Sequence, residues 1–574
     1  MSKTTKIDNL ITRPTQPVIS CRRNLRVPRQ IRFVVFLVLS SPLLILNTSF
    51  NNGRNEMKRI ESEYMIPALI SGLKSTLDVT GTNGPDLFPG GTMRLVSEVK
   101  QYYVLHCFRP AWTFGNRLNE NGTKLIYLFE HAREFGLEPD HYHLTAVKEI
   151  QQQMSGETNP ASLLQLRKKT EILMTDGALM FMVNLHCGYG PFDTTLFSKV
   201  WMDSLPKVLL DGTVHDRLLI NLVSIQPRFV EYRELLQATV NFVRHTELTD
   251  DWQKISVPGD SILFKEQLKQ ILIRLGYMYK YENDTDIPAA IRQFQNHNGI
   301  EPDGMTGKNT LEALRMTSLY RYRMLALNLD RLRKQDNSET NLLYVNIPSY
   351  HLKVFRENQL QETYRIIVGN PKTPTPLLSS WVERIITNPV WDVPRSITLN
   401  ELLPKIKADS GYLKRNCFRL LNRQNRTVDY ENIDPDMITD AESGLTIRQD
   451  ASSDNSLGRI KFIFPNPYAV YLHDTPGKAL FTKDIRALSH GCIRIQNPEK
   501  LAEYLVKVIQ SDTMDLNSLI AGGVQREINL TTRVPIHIRY ITCDTDEKGD
   551  PFFYKDIYGI DQKELAELAP FMGI

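Results

Sequence analysis

Cysteine is scarce and unpatterned in this chain. Six cysteines, at positions 21, 107, 187, 417, 492 and 543, are spread over 574 residues with no C-x-x-C pair. Neither a disulfide framework nor a spaced set of metal-ligating thiols can be read from them. Charge of one sign is lacking too. The formal net charge is only +4, and no basic stripe interleaves with aromatic residues, so nucleic acid is excluded as a partner. A full-length membrane span is also absent. The apolar stretch Phe33 to Leu46 is interrupted by Ser40, Ser41 and Pro42 and falls short of the roughly 20 residues a span needs.

That stretch follows Arg22, Arg23, Arg26, Arg29 and Arg32. Basic then apolar is the layout of an export signal. No small-x-small cleavage site stands close behind it, which favours an uncleaved signal-anchor. The positive-inside rule then puts the rest of the chain outside the cytoplasm. A buried core helix fits poorly with five arginines and no partner segment nearby. With 41% hydrophobic and 23% charged residues, the remainder has the composition of globular protein and the length of three or four units.

We divide the chain into four parts: leader and anchor over 1–55, a helical scaffold over 56–257, a small module over 258–316, and a strand-rich domain over 317–574. In the scaffold, Lys124 to Phe135 and Glu171 to Leu185 carry apolar residues at helical spacing. His106-Cys107 and His186-Cys187 are adjacent pairs that diverge on a helix, so they read as structural side chains. In the module, a first helix places Leu263, Leu268, Ile271, Leu272 and Leu275 on one side and stops at Gly276. A second helix packs through Ile291 and Phe294. Phe294, Gln295, Gly299, Asp303, Gly304, Gly307, Thr310 and Leu314 follow the pattern of the three-helix peptidoglycan-binding module, which this segment resembles.

Beyond about 342, strands dominate: 343–347, 351–355, 364–369, 461–464 and 468–473 all show alternation or β-branched content. Residues 401–457 are polar and loop-like, and read as an insertion positioned to act as a lid. A last helix, Asn497 to Gln510, is expected to be capped by Asn497, with Pro498 first inside.

The chemistry gathers at Ser489-His490-Gly491-Cys492-Ile493-Arg494-Ile495. As a strand, Ile493 and Ile495 face the core while Cys492 and Arg494 share the cleft face. Gly491 lets a substrate backbone approach, and the amides of Gly491 and Cys492 are candidate oxyanion donors. A thiol needs a base or a cation beside it to become a nucleophile. His473 is the strongest candidate base, on a strand whose parity puts Tyr471 beside it. His490 is a second candidate, and also a candidate for shaping the site. A zinc site of His473, His490 and Cys492 would supply three ligands, but the spacing matches no metal motif.

His473, fifteen residues, then Ser489-His490-Gly491-Cys492 resembles the signature of L,D-transpeptidases with the YkuD-type catalytic domain. The resemblance extends to Val368-Gly369 with Thr373-Pro374-Thr375-Pro376, to Asn388-Pro389-Val390-Trp391-Asp392-Val393-Pro394, to Leu472-His473-Asp474-Thr475-Pro476, and to Asp556-Ile557-Tyr558-Gly559. The large YcbB-like branch is the best match over about 90–570. Arg494 stands where many members have asparagine, as in that branch. A substrate carboxylate and a structural salt bridge are both open to it.

The resemblance implies an α+β multidomain protein with a helical scaffold, a three-helix peptidoglycan-binding module and a mostly-β catalytic domain carrying a capping insertion. It implies Cys492 as nucleophile and His473 as base, with Tyr471, Ser489, His490, Gly491, Arg494 and Trp391 supporting them or touching substrate. No metal or organic cofactor is implied. The implied partners are peptidoglycan stem peptides and glycan, together with the inner membrane through the N-terminal segment; the implied location is the periplasm. The implied reaction makes a Cys492 thioester from a tetrapeptide stem, releases D-alanine, and passes the acyl group to an amine on a neighbouring third-position diamino acid. Hydrolysis of the thioester, ligation of a protein to the wall, and a purely wall-binding scaffold are the alternatives.

Overall fold

The computed structural model describes residues 61–79, 93–189, 199–250, 261–335, 339–429, 434–438, 442–510, 513–546 and 548–569. The expected leader and anchor over 1–55 lie outside them. Among the described residues no helix is long and apolar enough to cross a membrane.

The scaffold is built around one long helix, Pro160–Cys187. Asn159 caps it, its side chain accepting from the amides of Ala161 at 2.9 Å and Ser162 at 3.3 Å, and Pro160 occupies the first turn, where its missing N–H costs nothing. From Thr170 to Leu185 every side chain is buried. Such a helix must satisfy its polar groups internally. Glu171 does so by gathering the segment before it: its carboxylate accepts from the amides of Ala111 (2.8 Å), Trp112 (3.1 Å) and Thr113 (2.8 Å) and from the hydroxyls of Thr113 (2.7 Å) and Tyr103 (2.9 Å). The helix expected from Lys124 to Phe135 is instead Glu120–Glu130 followed by a 3-10 turn, Ala132–Phe135. The break lets Gly136, at φ +66°, pass within van der Waals reach of Ala326 on the helix Ser318–Arg333. His186 is structural: its Nδ1 meets the Ile225 carbonyl at 2.7 Å and its ring stacks on Trp201.

The module has the three helices Ser261–Arg274, Ile287–His297 and Lys308–Leu314. Phe264 packs in its core and Leu263 is half exposed, one position off the expected face. Gln295 explains the motif. Its amide nitrogen lies 2.7 Å from Asp303 Oδ1, 2.9 Å from the Met305 carbonyl and 3.1 Å from Thr310 Oγ1, and its oxygen accepts from the Gly304 amide at 2.8 Å. One buried side chain thus fixes the whole loop between the second and third helices.

The sheet of the strand-rich domain has nine strands: β1 Leu342–Asn346, β2 His351–Arg356, β3 Gln359–Gly369, β4 Leu378–Thr387, β5 Ile460–Ile463, β6 Leu472–His473, β7 Ala487–Ser489, β8 Ile493–Ile495 and β9 Arg526–Arg539. Their order is β7-β3-β8-β6-β5-β4-β9-β1-β2, and β2 also pairs with β3. The sheet therefore closes on itself, with β7 attached to the end of β3. Alternation puts Leu343, Val345, Leu352, Val354, Ile366, Phe462, Leu472, Ile493, Ile536 and Ile538 into one core. The expected strand 468–473 is shorter than its alternation implied, covering only Leu472–His473. The last helix runs as α over Pro498–Tyr504 and as π over Leu505–Ile509, and Asn497 makes no side-chain cap. The wider π turn rotates the buried face to Leu501, Ala502, Leu505 and Val506 and leaves Val508 36% exposed.

The insertion is not loop-like. It starts earlier than 401 and carries a four-stranded antiparallel sheet in the order Trp391–Asp392, Thr446–Gln449, Phe418–Leu421, Thr427–Val428. Val393, Leu402, Ile406, Leu413, Phe418, Leu420, Ile438 and Ile447 form a core of its own. These apolar residues are spaced singly among polar ones, which hid the core from a search for long runs. The neck is closed by the Asn388 amide donating to the Arg459 carbonyl at 2.8 Å.

Replacing Glu171 with alanine strands three buried amides and two hydroxyls. We expect a loss of about 3 kcal/mol or more from the scaffold, seen in calorimetry of the full chain as a lower first transition, with the later transitions in place.

Candidate active site

Strand register assembles the site. β5 and β6 pair antiparallel with Lys461 opposite His473, and β6 and β8 pair parallel with His473 opposite Arg494. Core residues alternate with these three: Ile460 and Phe462, Leu472, Ile493 and Ile495 are all buried. Lys461, His473 and Arg494 therefore form one row on the outer face of the closed sheet, across three adjacent strands. Cys492 stands immediately before β8, at the end of that row.

The loop carrying Cys492 is held rigidly. Ser489 Oγ donates to the Cys492 carbonyl at 2.5 Å and accepts from the Gly491 amide at 3.2 Å. Gly491, at φ +113°, adopts a backbone conformation that favours glycine. Its carbonyl accepts from Thr375 Oγ1 at 2.8 Å, and Thr375 Oγ1 also accepts from the Gly369 amide at 2.9 Å. Tyr558 closes the loop of bonds, donating through its hydroxyl to the Gly369 carbonyl at 2.7 Å. The turn after β3 thus clamps the Cys492 loop. One correction follows: the Gly491 amide, read as an oxyanion donor, is already engaged by Ser489.

His473 is 4% exposed. Its Nδ1 lies 2.5 Å from the Asp474 carbonyl oxygen, so Nδ1 carries the proton and Nε2 is the basic nitrogen. The orienting group is a backbone carbonyl; the Asp474 carboxylate turns away, accepting from the Arg459 amide at 2.8 Å and pairing with Lys478. Burial foremost, then the Arg494 charge, hold His473 down to about 3. Burial raises the Cys492 thiol, opposed by Tyr471, Lys461 and Arg494. The resting pair is therefore neutral thiol and neutral imidazole.

Tyr471 lies outside the regular strand, but its ring sits 5.6 Å from that of His473. Cys492 Sγ lies 4.0 Å from the Ala469 carbonyl oxygen, and Lys461 Nζ rests 3.7 Å from the Tyr471 ring centroid. A cation over the ring makes the phenol a stronger hydrogen-bond donor. Burial depresses Lys461, and the Cys492 charge pulls it back up. Trp391, in the insertion, packs on Phe418. Lys461 was missed in the sequence, although the parity of Lys461-Phe462-Ile463-Phe464 places it outward.

His490 turns to the cap: its Nε2 lies 2.5 Å from Glu401 Oε1, with both side chains partly exposed. No motif announced Glu401. Arg494 is partly buried, its Nε has no hydrogen-bond partner, and among the described residues it has no carboxylate at ion-pair distance. The salt-bridge alternative for Arg494 is not what the structure forms. His473, His490 and Cys492 do not converge as ligands. The group among the described residues whose ligand atoms lie close together is His297, Asp546 and Asp550. It sits at the seam of the module and is occupied with itself: His297 Nε2 meets Asp546 at 3.2 Å and Nδ1 meets the Tyr277 hydroxyl at 3.1 Å.

Three segments of the chain match known families. Residues 340–536 match the L,D-transpeptidase catalytic domain (YkuD), 266–314 match the "Putative peptidoglycan binding domain", and 97–238 match a domain described only as "Scaffold domain". A Haemophilus influenzae protein described as "Putative L,D-transpeptidase" is 36% identical over 245 residues, 42% of this chain and 49% of that one. The match thus spans about half the length of that relative. An L,D-transpeptidase from Mycobacterium smegmatis is 14% identical with a TM-score of 0.17, covering 35% of this chain and 58% of that one. One from Stackebrandtia nassauensis is 13% identical with a TM-score of 0.18, covering 51% and 96%.

Alkylation of Cys492 should follow a single ionisation lying above the ordinary thiol value of about 8.5, with no inflection between pH 5 and 7, because His473 stays neutral there. Lys461→Met should move the midpoint higher still. Mass spectrometry of iodoacetamide-treated protein across pH measures both; an inflection near 6.5 would show an imidazolium–thiolate pair instead.

Proposed function

We propose that this chain is an L,D-transpeptidase of the capped, module-bearing YcbB-like branch, forming peptidoglycan crosslinks between third-position diamino acids through a Cys492 acyl-enzyme. The observation that carries this reading is the row Lys461–His473–Arg494 beside the clamped Cys492 loop, within the segment that matches the catalytic domain family.

In this reading the Cys492 thiol gives its proton to His473 Nε2 as sulfur bonds to the carbonyl carbon of the third stem residue. The tetrahedral intermediate collapses by breaking the C–N bond to the terminal D-alanine, whose amine takes the proton from His473. A thioester remains. The side-chain amine of a second stem attacks it, His473 accepts the amine's proton, and the proton returns to sulfur as the C–S bond breaks. With the Gly491 amide engaged, the Cys492 amide is the backbone donor left for the oxyanion.

A base held near 3 is weak, and Arg494 supplies the reason it would strengthen on demand. A substrate carboxylate on the guanidinium cancels the charge that, after burial, does most to depress His473. The base then gains strength only when a donor is bound. Glu401 belongs to the cap, so its contact with His490 makes cap position part of the same machinery.

The test is incubation with a tetrapeptide stem. We expect D-alanine release, a mass adduct on Cys492, and crosslinked dimers when a second stem is present. Cys492→Ala should abolish all three. Tripeptide without dimers would make the chain an L,D-carboxypeptidase; dimers linked to protein amines would make it a ligase; no adduct on wild type would leave a wall-binding scaffold.

Export and anchoring complete the reading, resting on the five arginines ahead of Phe33–Leu46. Fractionation of cells producing the tagged full chain should place it in the inner-membrane fraction, with the tag at its C-terminus open to protease from the periplasmic side. Protease resistance in spheroplasts would refute it.

A further inference from the structure

The loop from Phe464 to Tyr471 joins β5 to β6, the strands that carry Lys461 and His473. Both of its ends are pinned. Phe464 and Val470 are buried in the core of the closed sheet. Ser380 Oγ donates to the Pro465 carbonyl at 2.6 Å, and the Tyr471 carbonyl accepts from the Ile493 amide at 3.1 Å. The middle of the loop is built on Asn466. Its side-chain oxygen accepts from the amides of Tyr468 at 3.1 Å and Val470 at 3.0 Å. Its side-chain nitrogen donates to the carbonyls of Phe464 at 2.9 Å and Val470 at 2.7 Å. Both lone pairs and both N–H groups of that carboxamide are thus engaged in one turn.

That turn holds Ala469 at φ +54°, in the left-handed region that disfavours alanine. Strain of this kind persists only where the surroundings over-determine it, and it gathers at functional sites. Here the effect is to aim the Ala469 carbonyl. Its oxygen lies 4.0 Å from Cys492 Sγ, and among the described residues no backbone N–H donates to it. Ala469 is exposed, which leaves the oxygen within reach of a substrate.

The distance selects what this oxygen can bind. At 4.0 Å it is too far for a strong bond to the thiol itself. A nitrogen two bonds from sulfur, on the carbon that sulfur attacks, can stand about 2.9 Å from the oxygen, the usual N–H···O separation. That nitrogen belongs to the scissile amide in the first half-reaction and to the incoming amine in the second. Aminolysis retraces acylation with a different amine, so one fixed acceptor serves both. The carbonyl takes no proton, because His473 Nε2 carries it in each half. It orients the nitrogen, and with it the lone pair that breaks from or attacks the acyl carbon.

We propose that the Ala469 carbonyl is the hydrogen-bond acceptor for the leaving and entering amines, and that Asn466 is the positioning residue that aims it. The proposal rests on the transpeptidase reading for the identity of those amines. The test uses the full chain and two variants, Asn466→Ala and Ala469→Pro, the latter because proline cannot take a positive φ. Two acylating probes are compared: a tetrapeptide stem, whose scissile nitrogen carries a hydrogen, and imipenem, whose β-lactam nitrogen carries none. Both variants should release D-alanine about fivefold to tenfold more slowly, roughly the loss of one hydrogen bond, and should raise the KM for the acceptor stem by a similar factor. Imipenem adducts on Cys492 should form at close to the wild-type rate. A loop that merely collapses would slow both probes together. Equal losses with the two probes, or undiminished D-alanine release in both variants, therefore overturn the proposal and leave the transpeptidase reading standing. Wild type that forms the imipenem adduct but releases no D-alanine overturns both.

Discussion

The register of three short strands is the constraint on which this site depends. β6 contributes two residues, Leu472 and His473, one to the core and one to the outer face. Pairing on both sides leaves no freedom in where His473 points: antiparallel to Lys461, parallel to Arg494. A slip by one residue would turn Leu472 outward and drive the imidazole into the apolar core. The buried alternation of Ile460, Phe462, Ile493 and Ile495 forbids that slip. Hydrophobic burial thus fixes the angular position of Lys461, His473 and Arg494, although the core is built from their apolar neighbours.

Sequence parity made much of this legible. Ile493 and Ile495 declared the core face of β8, and with it the outward placement of Arg494. Spacing joined His473 to the Cys492 loop across fifteen residues that no local rule connects. Three things stayed hidden. Lys461 obeys the same parity, but a lysine on an outward face reads as solvated surface until its register partner is known. Thr375 acts through the Gly491 carbonyl, and no one-dimensional pattern reveals a hydrogen bond across 116 positions. Glu401 sits in an insertion whose core is assembled from isolated apolar residues such as Leu402, Ile406 and Leu413, so even the presence of a folded cap was obscured.

The module was legible for a different reason. Its motif residues are not ligands held in common but the supports of one buried amide: Asp303, Gly304 and Thr310 all serve Gln295. The motif therefore marks the module's fold and not its binding surface.

The resting site is held away from equilibrium charge pairing. Arg494 carries an orphaned Nε, Lys461 is partly desolvated over a tyrosine ring, and between them stand an imidazole and a thiol that burial keeps neutral. Two uncompensated cations near a neutral pair disfavour protonation of His473, and they would stabilise a thiolate once the proton has somewhere to go. In the proposed reaction a substrate carboxylate changes the first effect without cancelling the second, because it pairs with Arg494 and leaves Lys461 over the Tyr471 ring. On that reading the asymmetry of the row, an arginine with an orphaned Nε on one side of the base and a lysine over an aromatic ring on the other, separates recognition from activation: the arginine senses the donor, and the lysine keeps the sulfur ready.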